Sequence, residues 1–297
     1  MTDSRTLKIA VVGLPGKWST EVLADAIEAR TGFRLVVDMQ AVTLDLAQQR
    51  LNYRDTNLCQ LDGIVVKKIS AEYSPHTLDR LELLRVAEAA GVNVFSPAEN
   101  ILRLIDRLSC TVTLSNHNIP MPPTILTEST QQALAAVEEY GEAVFKPLYS
   151  TKARGMEIIK AAEADKENAI ARFAAQNPMM YIQQKLNLSG RDLGMVFLGG
   201  EYLGSYARQG AGDSWNTTIH SGGKYAPATP DAEIIQLAQR AQKPFNMDFT
   251  TVDIAETDTG PVVFEVSAFG GFRGAKEGIG IDAASLYTDY VIGKLYG

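Results

Sequence analysis

Apolar and polar positions alternate most regularly between residues 249 and 274. Val252 and Ile254 fall two apart before Asp258-Thr259-Gly260, and Val262, Phe264 and Val266 fall two apart after it. That pattern predicts two antiparallel strands joined by a tight turn. It also turns Asp253 and Glu265 to one face. Burying a carboxylate at the end of an apolar run is costly unless the charge is paired or bound to a metal. A cation site and a pair of solvated carboxylates on an exposed sheet face both satisfy the pattern.

Upstream the period changes. Residues 7–12 are an apolar strand that leads through Gly13-Leu14-Pro15-Gly16 into a helix at 19–30, apolar at Val22, Leu23, Ala26 and Ile27. The two glycines do not form GxGxxG, so they define no nucleotide site by themselves. Strands at 34–37 and 63–66, a helix at 75–90 closed by Gly91, and a helix at 97–114 with a break near Ser109 complete this part. Alternating strands and helices predict an open parallel sheet for residues 1 to 100. Lys67 and Lys68 then lie at its carboxyl edge, where such sheets bind ligands, although two solvated lysines would look the same.

The prolines of Asn118-Ile119-Pro120-Met121-Pro122-Pro123 disfavour helix in the residues before them and predict an extended connector at a domain boundary. A helix at 130–140 and a strand at 143–147 follow. The small polar loop 148–155 carries Lys152 and Arg154, and a strand occupies 156–159. Strand, cationic loop and strand can clamp a polyphosphate. Lys146, at the end of an apolar strand, needs an anion from a ligand or a salt bridge. A helix at 165–176 has Asp165 as its N-cap. The strand at 179–186 ends in Gln183-Gln184-Lys185-Leu186, whose backbone suits a flat heterocycle. Strands at 192–198 and 202–207 pair across Gly199-Gly200. The segment 209–223, with Trp215, Asn216, His220 and Gly222, is long and irregular, as functional segments often are. Helices at 231–246 and 279–295 close the chain. Three units are expected: an α/β unit over 1–100, a central unit over 101–185 and a C-terminal unit over 186–297.

Composition narrows the function classes. The net charge of -7 argues against a nucleic-acid surface, and no apolar run is long enough to span a membrane. The polar first residues run straight into a strand without a signal peptide, so a cytoplasmic location is expected. Cys59 and Cys110 have no ligand-like spacing.

In their order, the proline-rich connector, FKP with its small-residue loop, YIQQ, RDLGMVFLGGEYLGSYAR, NTTIHSGG, and VDI followed by FEVS resemble the ATP-grasp superfamily, in particular its RimK-like and glutathione-synthetase-like ligases. The resemblance implies an α+β clasp holding ATP between two antiparallel sheets, with Mg²⁺ bridging its phosphates. A carboxylate becomes an acylphosphate, which an amine attacks. By the same resemblance Lys146 and Arg107 contact ATP, while Ser150, Thr151, Lys152 and Gly155 belong to the loop that closes over it. Gln183, Gln184, Lys185 and Leu186 hold adenine, and Asp192 lies near the ribose. Arg208 stabilises the transferring charge, Asp253, Glu265 and Ser267 hold magnesium, and Asn216, His220, Gly222 and Arg273 face the substrates. Those substrates are a small-molecule or peptide carboxylate and an amine such as glutamate; a homo-oligomer and a small protein partner are also consistent. Several positions depart from the family pattern. Ser267 replaces Asn, Gln184 replaces Glu, Arg107 replaces Lys, Gly194 replaces Arg in Asp-Ile-Arg, and the closing loop is poorer in glycine. An active ligase and a regulatory nucleotide-binding protein that has lost a complete metal site are both compatible with these changes.

Overall fold

The computed structural model describes residues 6–151, 153–188, 190–210 and 223–297. Its first sheet begins with β1 (Ile9–Val12), buried along its whole length, as expected of a strand covered on both faces. Helix α1 (Trp18–Thr31) and β2 (Val36–Val37) follow. Next comes a side sheet absent from the sequence reading: β3 (Val42–Asp45), β4 (Arg50–Tyr53) and β5 (Thr56–Asn57). Its turns use Gln49 and Arg54 at φ 51° and 53°, so the glycines that normally mark such turns are missing. The chain returns through β6 (Gly63–Val66), α2 (Pro75–Ala89) and β7 (Asn93–Phe95). The main sheet runs β2-β1-β6-β7, all parallel.

The expected long helix is two, α3 (Ala98–Ile105) and α4 (Arg107–Asn116). The break falls at Asp106 and not at Ser109. Asp106 is extended, and its carboxylate accepts the Leu108 N–H at 3.0 Å, which favours starting a new helix there.

A second, antiparallel sheet has the order β10-β9-β11-β8. Its elements are β8 (Thr124–Thr127), α5 (Thr130–Tyr140), β9 (Glu142–Lys146), β10 (Glu157–Lys160), α6 (Lys166–Gln176) and β11 (Met180–Gln184). Asp165 makes no capping bond to α6; its carboxylate pairs with Arg172 at 3.1 Å. Ala133, Val137, Phe145, Ile170, Phe173 and Ile182 form a core of their own between this sheet and its helices.

The third sheet, also antiparallel, runs β14-β13-β12-β15-β16. It contains β12 (Arg191–Leu198), β13 (Glu201–Gln209), β14 (Lys224–Ala228), β15 (Phe249–Thr257) and β16 (Gly260–Val266), with α7 (Ala232–Gln242) before β15. Helix α7 is shorter than expected, because a 3-10 turn takes over from Lys243 to Phe245. The closing helix expected at 279–295 is α9 (Ala283–Tyr296), and a helix absent from the sequence reading, α8 (Phe272–Ile279), precedes it. Gly280 ends α8 in the left-handed region at φ 70°, and Asp282 caps α9. Residues of the first sheet, of α3 and α4, and of the third sheet share one core, exemplified by Val12, Ile101, Cys110, Met195 and Val252. Among the described residues no helix is long and apolar enough to cross a membrane.

Candidate active site

The three sheets converge on a cavity of about 720 Å³. Each contributes the end or face of a strand. The first sheet offers Lys67 and Lys68, just past β6. The second offers Lys146 from β9 and Gln183 and Gln184 from β11. The third offers Asp192, Arg208, Asp253 and Glu265 from β12, β13, β15 and β16.

The third sheet fixes its polar groups by register. Asp253 lies opposite Glu265 in the β15–β16 ladder, immediately before a bulge, and Asp192 lies opposite Arg208 in the β12–β13 ladder. Arg208 is bound to Asp192 through both carboxylate oxygens and reaches Asp253 Oδ2 at 2.9 Å. Burial works against the guanidinium charge, but Asp253 and Asp192 outweigh it and hold the Arg208 pKa above its ordinary value. Burial pushes Asp253 up to about 7 against the pull of Arg208, with Asp192 and Glu265 adding repulsion. Asp253 Oδ1 is buried and has no hydrogen-bond partner. A buried carboxylate oxygen left open next to a second carboxylate costs stability unless a cation arrives. Hard oxygen donors of this kind suit Mg²⁺, so the residues fit such an ion. Among the described residues no group of three acidic, His or Cys side chains forms a metal cluster. Ser267, two positions beyond Glu265, also lines the cavity, and its N–H is tied to the Thr251 carbonyl at 2.8 Å.

Opposite these groups stands Lys146, only 8% exposed. Its ammonium donates to Gln183 Oε1 and lies 5.3 Å from the centre of the Phe264 ring. Among the described residues no carboxylate forms a salt bridge with it. Burial, reinforced by Arg107 and opposed by Glu265, brings its pKa down to about 7. Arg107 reaches Glu265 Oε2 at 3.8 Å and donates to Ser150 Oγ at 3.4 Å and the Pro147 carbonyl at 3.3 Å. It therefore joins the start of α4 to the end of β9.

The strand end 183–186 lines the cavity, but not all of it is free. The Gln184 and Lys185 N–H groups already donate to the Pro123 and Glu142 carbonyls, and the Lys185 ammonium pairs with Glu142 at 2.6 Å. Asp192, expected beside a ribose, lines the cavity and is paired with Arg208. Thr151 and Arg273 line the cavity, whereas Ser150 touches it only through Arg107 and Gly155 lies outside its wall. Gly155 has φ +68°, and an added Cβ would stand 3.1 Å from the Pro147 ring, so its role is in the turn that returns to β10. Lys152, Asn216, His220 and Gly222 lie outside the described residues.

The sequence reading missed part of the wall. Trp18, Tyr73, Tyr225, Phe269 and Phe272 line the cavity beside Lys67 and Lys68. The edge rule for parallel sheets pointed to the lysines, but nothing local marked the aromatics. The missing charge at Gly194 also has a structural counterpart. Gly194 lies opposite Tyr206 on β13 and beside Asp253 on β15, and a Cβ on it would come within 2.4 Å of the Tyr206 ring. Tyr206 fills the place of the missing side chain. The same side chain presses on Gly274 and Gly278, one turn apart on α8, where added Cβ atoms would lie 2.2 Å from the Tyr206 ring and 2.4 Å from its Cβ.

Two antiparallel sheets closed on a lysine, an arginine and facing carboxylates, beside the carboxyl edge of a parallel sheet, define an ATP-grasp ligase. Residues 105–291 match the RimK-like ATP-grasp domain, and the chain belongs to that family of ATP-dependent carboxylate-amine ligases. It is 23% identical to the tetrahydromethanopterin:alpha-L-glutamate ligase of Methanosarcina acetivorans, over 93% of this chain and 96% of that one. Among solved structures, it resembles the ATP-grasp ligase PsnB complexed with minimal precursor, at TM-score 0.76 and 17% identity, covering 98% of this chain and all (100%) of that one. A RimK domain protein from Sphaerobacter thermophilus DSM 20745 superposes with TM-score 0.73 and 22% identity, over 96% of this chain and 100% of the other.

Proposed function

We propose that the enzyme uses Mg·ATP to phosphorylate a carboxylate and joins it to the amine of an acidic amino acid, glutamate first, on a small molecule or peptide. The observation that carries this reading is the open oxygen of Asp253, buried opposite Glu265 and beside Arg208 in a cavity whose other wall holds the buried Lys146. Glutamate is favoured by the likeness to the Methanosarcina acetivorans ligase.

Asp253, Glu265 and Ser267 would hold magnesium, which when bound offsets phosphate charge and polarises the transferred phosphoryl group. The remaining roles belong to the protein. Lys146 and Arg107 draw the phosphates to the end of β9. The adenine lies along residues 183–186, where the Gln184 and Lys185 N–H groups are already given to Pro123 and Glu142 and Leu186 supplies an apolar surface. Arg208 faces the charge that develops as the carboxylate attacks, and the two carboxylates holding it fix its direction. Closure of residues 150–155 excludes water from an acylphosphate that would otherwise hydrolyse.

Glu265→Gln tests the reading. It should lower the rate of ADP formation by about a hundredfold while changing the affinity for an ATP analogue by less than about tenfold. Undiminished turnover in that variant would make Glu265 a structural residue and remove the metal assignment.

A further inference from the structure

Lys67 is a buried cation that the reaction scheme above does not use. Its N–H donates to the Val12 carbonyl at 2.8 Å, which fixes the end of β6 against β1. The residue is 6% exposed, and its ammonium donates to the Gly270 carbonyl at 2.7 Å and lies 4.2 Å above the Phe272 ring. An ammonium has three hydrogens to give. Among the described residues no carboxylate forms a salt bridge with it. The acids lining the cavity are Asp192, Asp253 and Glu265, and each is already engaged by Arg208 or Arg107. Burial brings the Lys67 pKa down to about 7, with Lys68 adding to the effect. Among the described residues, this buried cation therefore has no carboxylate counter-ion to offset the cost of its burial.

The wall around Lys67 is built for an anion in a second way. Gly270, Gly271, Phe272 and Arg273 line the same cavity, and α8 starts at Phe272 with Gly271 as its cap. The N–H groups of its first turn have no acceptor within the helix, and its dipole is positive at that end. Gly274 and Gly278 let α8 lie close on Tyr206, which fixes where that end points. Lys67 follows β6 of the first sheet and Lys146 ends β9 of the second, so the two cations reach the cavity from different sheets.

We propose that Lys67 and the first turn of α8 hold the side-chain carboxylate of the incoming amino acid, and so make the enzyme prefer an acidic amino acid to its neutral isostere. This rests on the ligase reading above. The chemistry recognised is a carboxylate, and the other anion that could reach Lys67 is a phosphate of the nucleotide.

The test uses the full chain, Mg²⁺ and a non-hydrolysable ATP analogue, with calorimetric titration of L-glutamate and of L-glutamine. The wild type should bind glutamate at least about tenfold more tightly than glutamine. Lys67→Met should abolish that preference, leave the affinity for the analogue within about twofold, and not lower the melting temperature, because methionine suits the buried site. Lys67→Gln, which keeps a donor for the Gly270 carbonyl without the charge, should lose the preference equally; a purely structural lysine would leave it intact. The inference is overturned if the wild type shows no preference, if either variant keeps it, or if the loss falls on the nucleotide. Failure of the wild type to bind the analogue would instead sink the ligase reading.

Discussion

Burial sets the proton affinity of Lys146, with Arg107 adding to its effect and Glu265 opposing it. With the folded pKa about 7 and the ordinary value 10.5, the unfolded chain binds a proton between those pH values that the folded protein does not. Folding stability therefore rises with pH across that window, and the penalty is complete below it. Nucleotide binding has the opposite sense. Phosphate oxygens favour the charged ammonium, so binding takes up a proton above about pH 7, and affinity should fall by up to about tenfold per pH unit from there to about pH 9. Calorimetry in buffers of different ionisation enthalpy measures that uptake. Lys146→Met should weaken binding of the ATP analogue at neutral pH by at least about tenfold and flatten the pH dependence; an unchanged slope would mean that another group carries the proton. This lysine was legible in the sequence, because an ammonium ending an apolar strand needs an anion. The partnership of Asp192 with Arg208 was not, since the two stand sixteen positions apart and only the register of β12 against β13 brings them together.

At the scale of elements, α8 is the piece the sequence hid. Glycine disfavours helix by about 1 kcal/mol per position, so Gly274 and Gly278 hide a helix at this place in the chain. The structure gives Gly274 and Gly278 a purpose that outweighs propensity, because both face the buried side chain of Tyr206. Gly274→Ala should destabilise the protein by about 1–3 kcal/mol through overpacking, read as a lower melting temperature. Combined with Tyr206→Leu, which removes the ring it strikes, the loss should be smaller than the sum of the two single effects. Additive losses would mean that the helix does not depend on that contact. Restoring a charge by Gly194→Arg should fail for the same reason, with folded yield falling and no activity gained. Boundaries elsewhere were legible where a local cap or hairpin set them, as at Gly199-Gly200. The side sheet β3–β5 was not, because its turns lack glycine.

Across the whole molecule, the parallel sheet and the third sheet share a core while the second sheet has its own. The cavity lies where all three meet. The order of elements was legible because strand, cationic loop and hairpin each leave a local pattern in the chain. The shape of the cavity was not, because its aromatic wall is assembled from α1, β14 and the stretches after β6 and β16, which only packing unites. A single enclosure of this kind suits the proposed reaction, whose water-sensitive intermediate requires one. Oxygen transfer from the carboxylate to phosphate follows the chemistry itself. Wild-type enzyme, Mg·ATP, L-glutamate and a panel of peptide and small-molecule carboxylates labelled with heavy oxygen would be incubated together, and the released phosphate analysed by mass spectrometry. Phosphate carrying one labelled oxygen, formed with ADP and an amide product and lost in Glu265→Gln, is the expected result. ADP formed with unlabelled phosphate, or no ADP with any member of the panel, would contradict it.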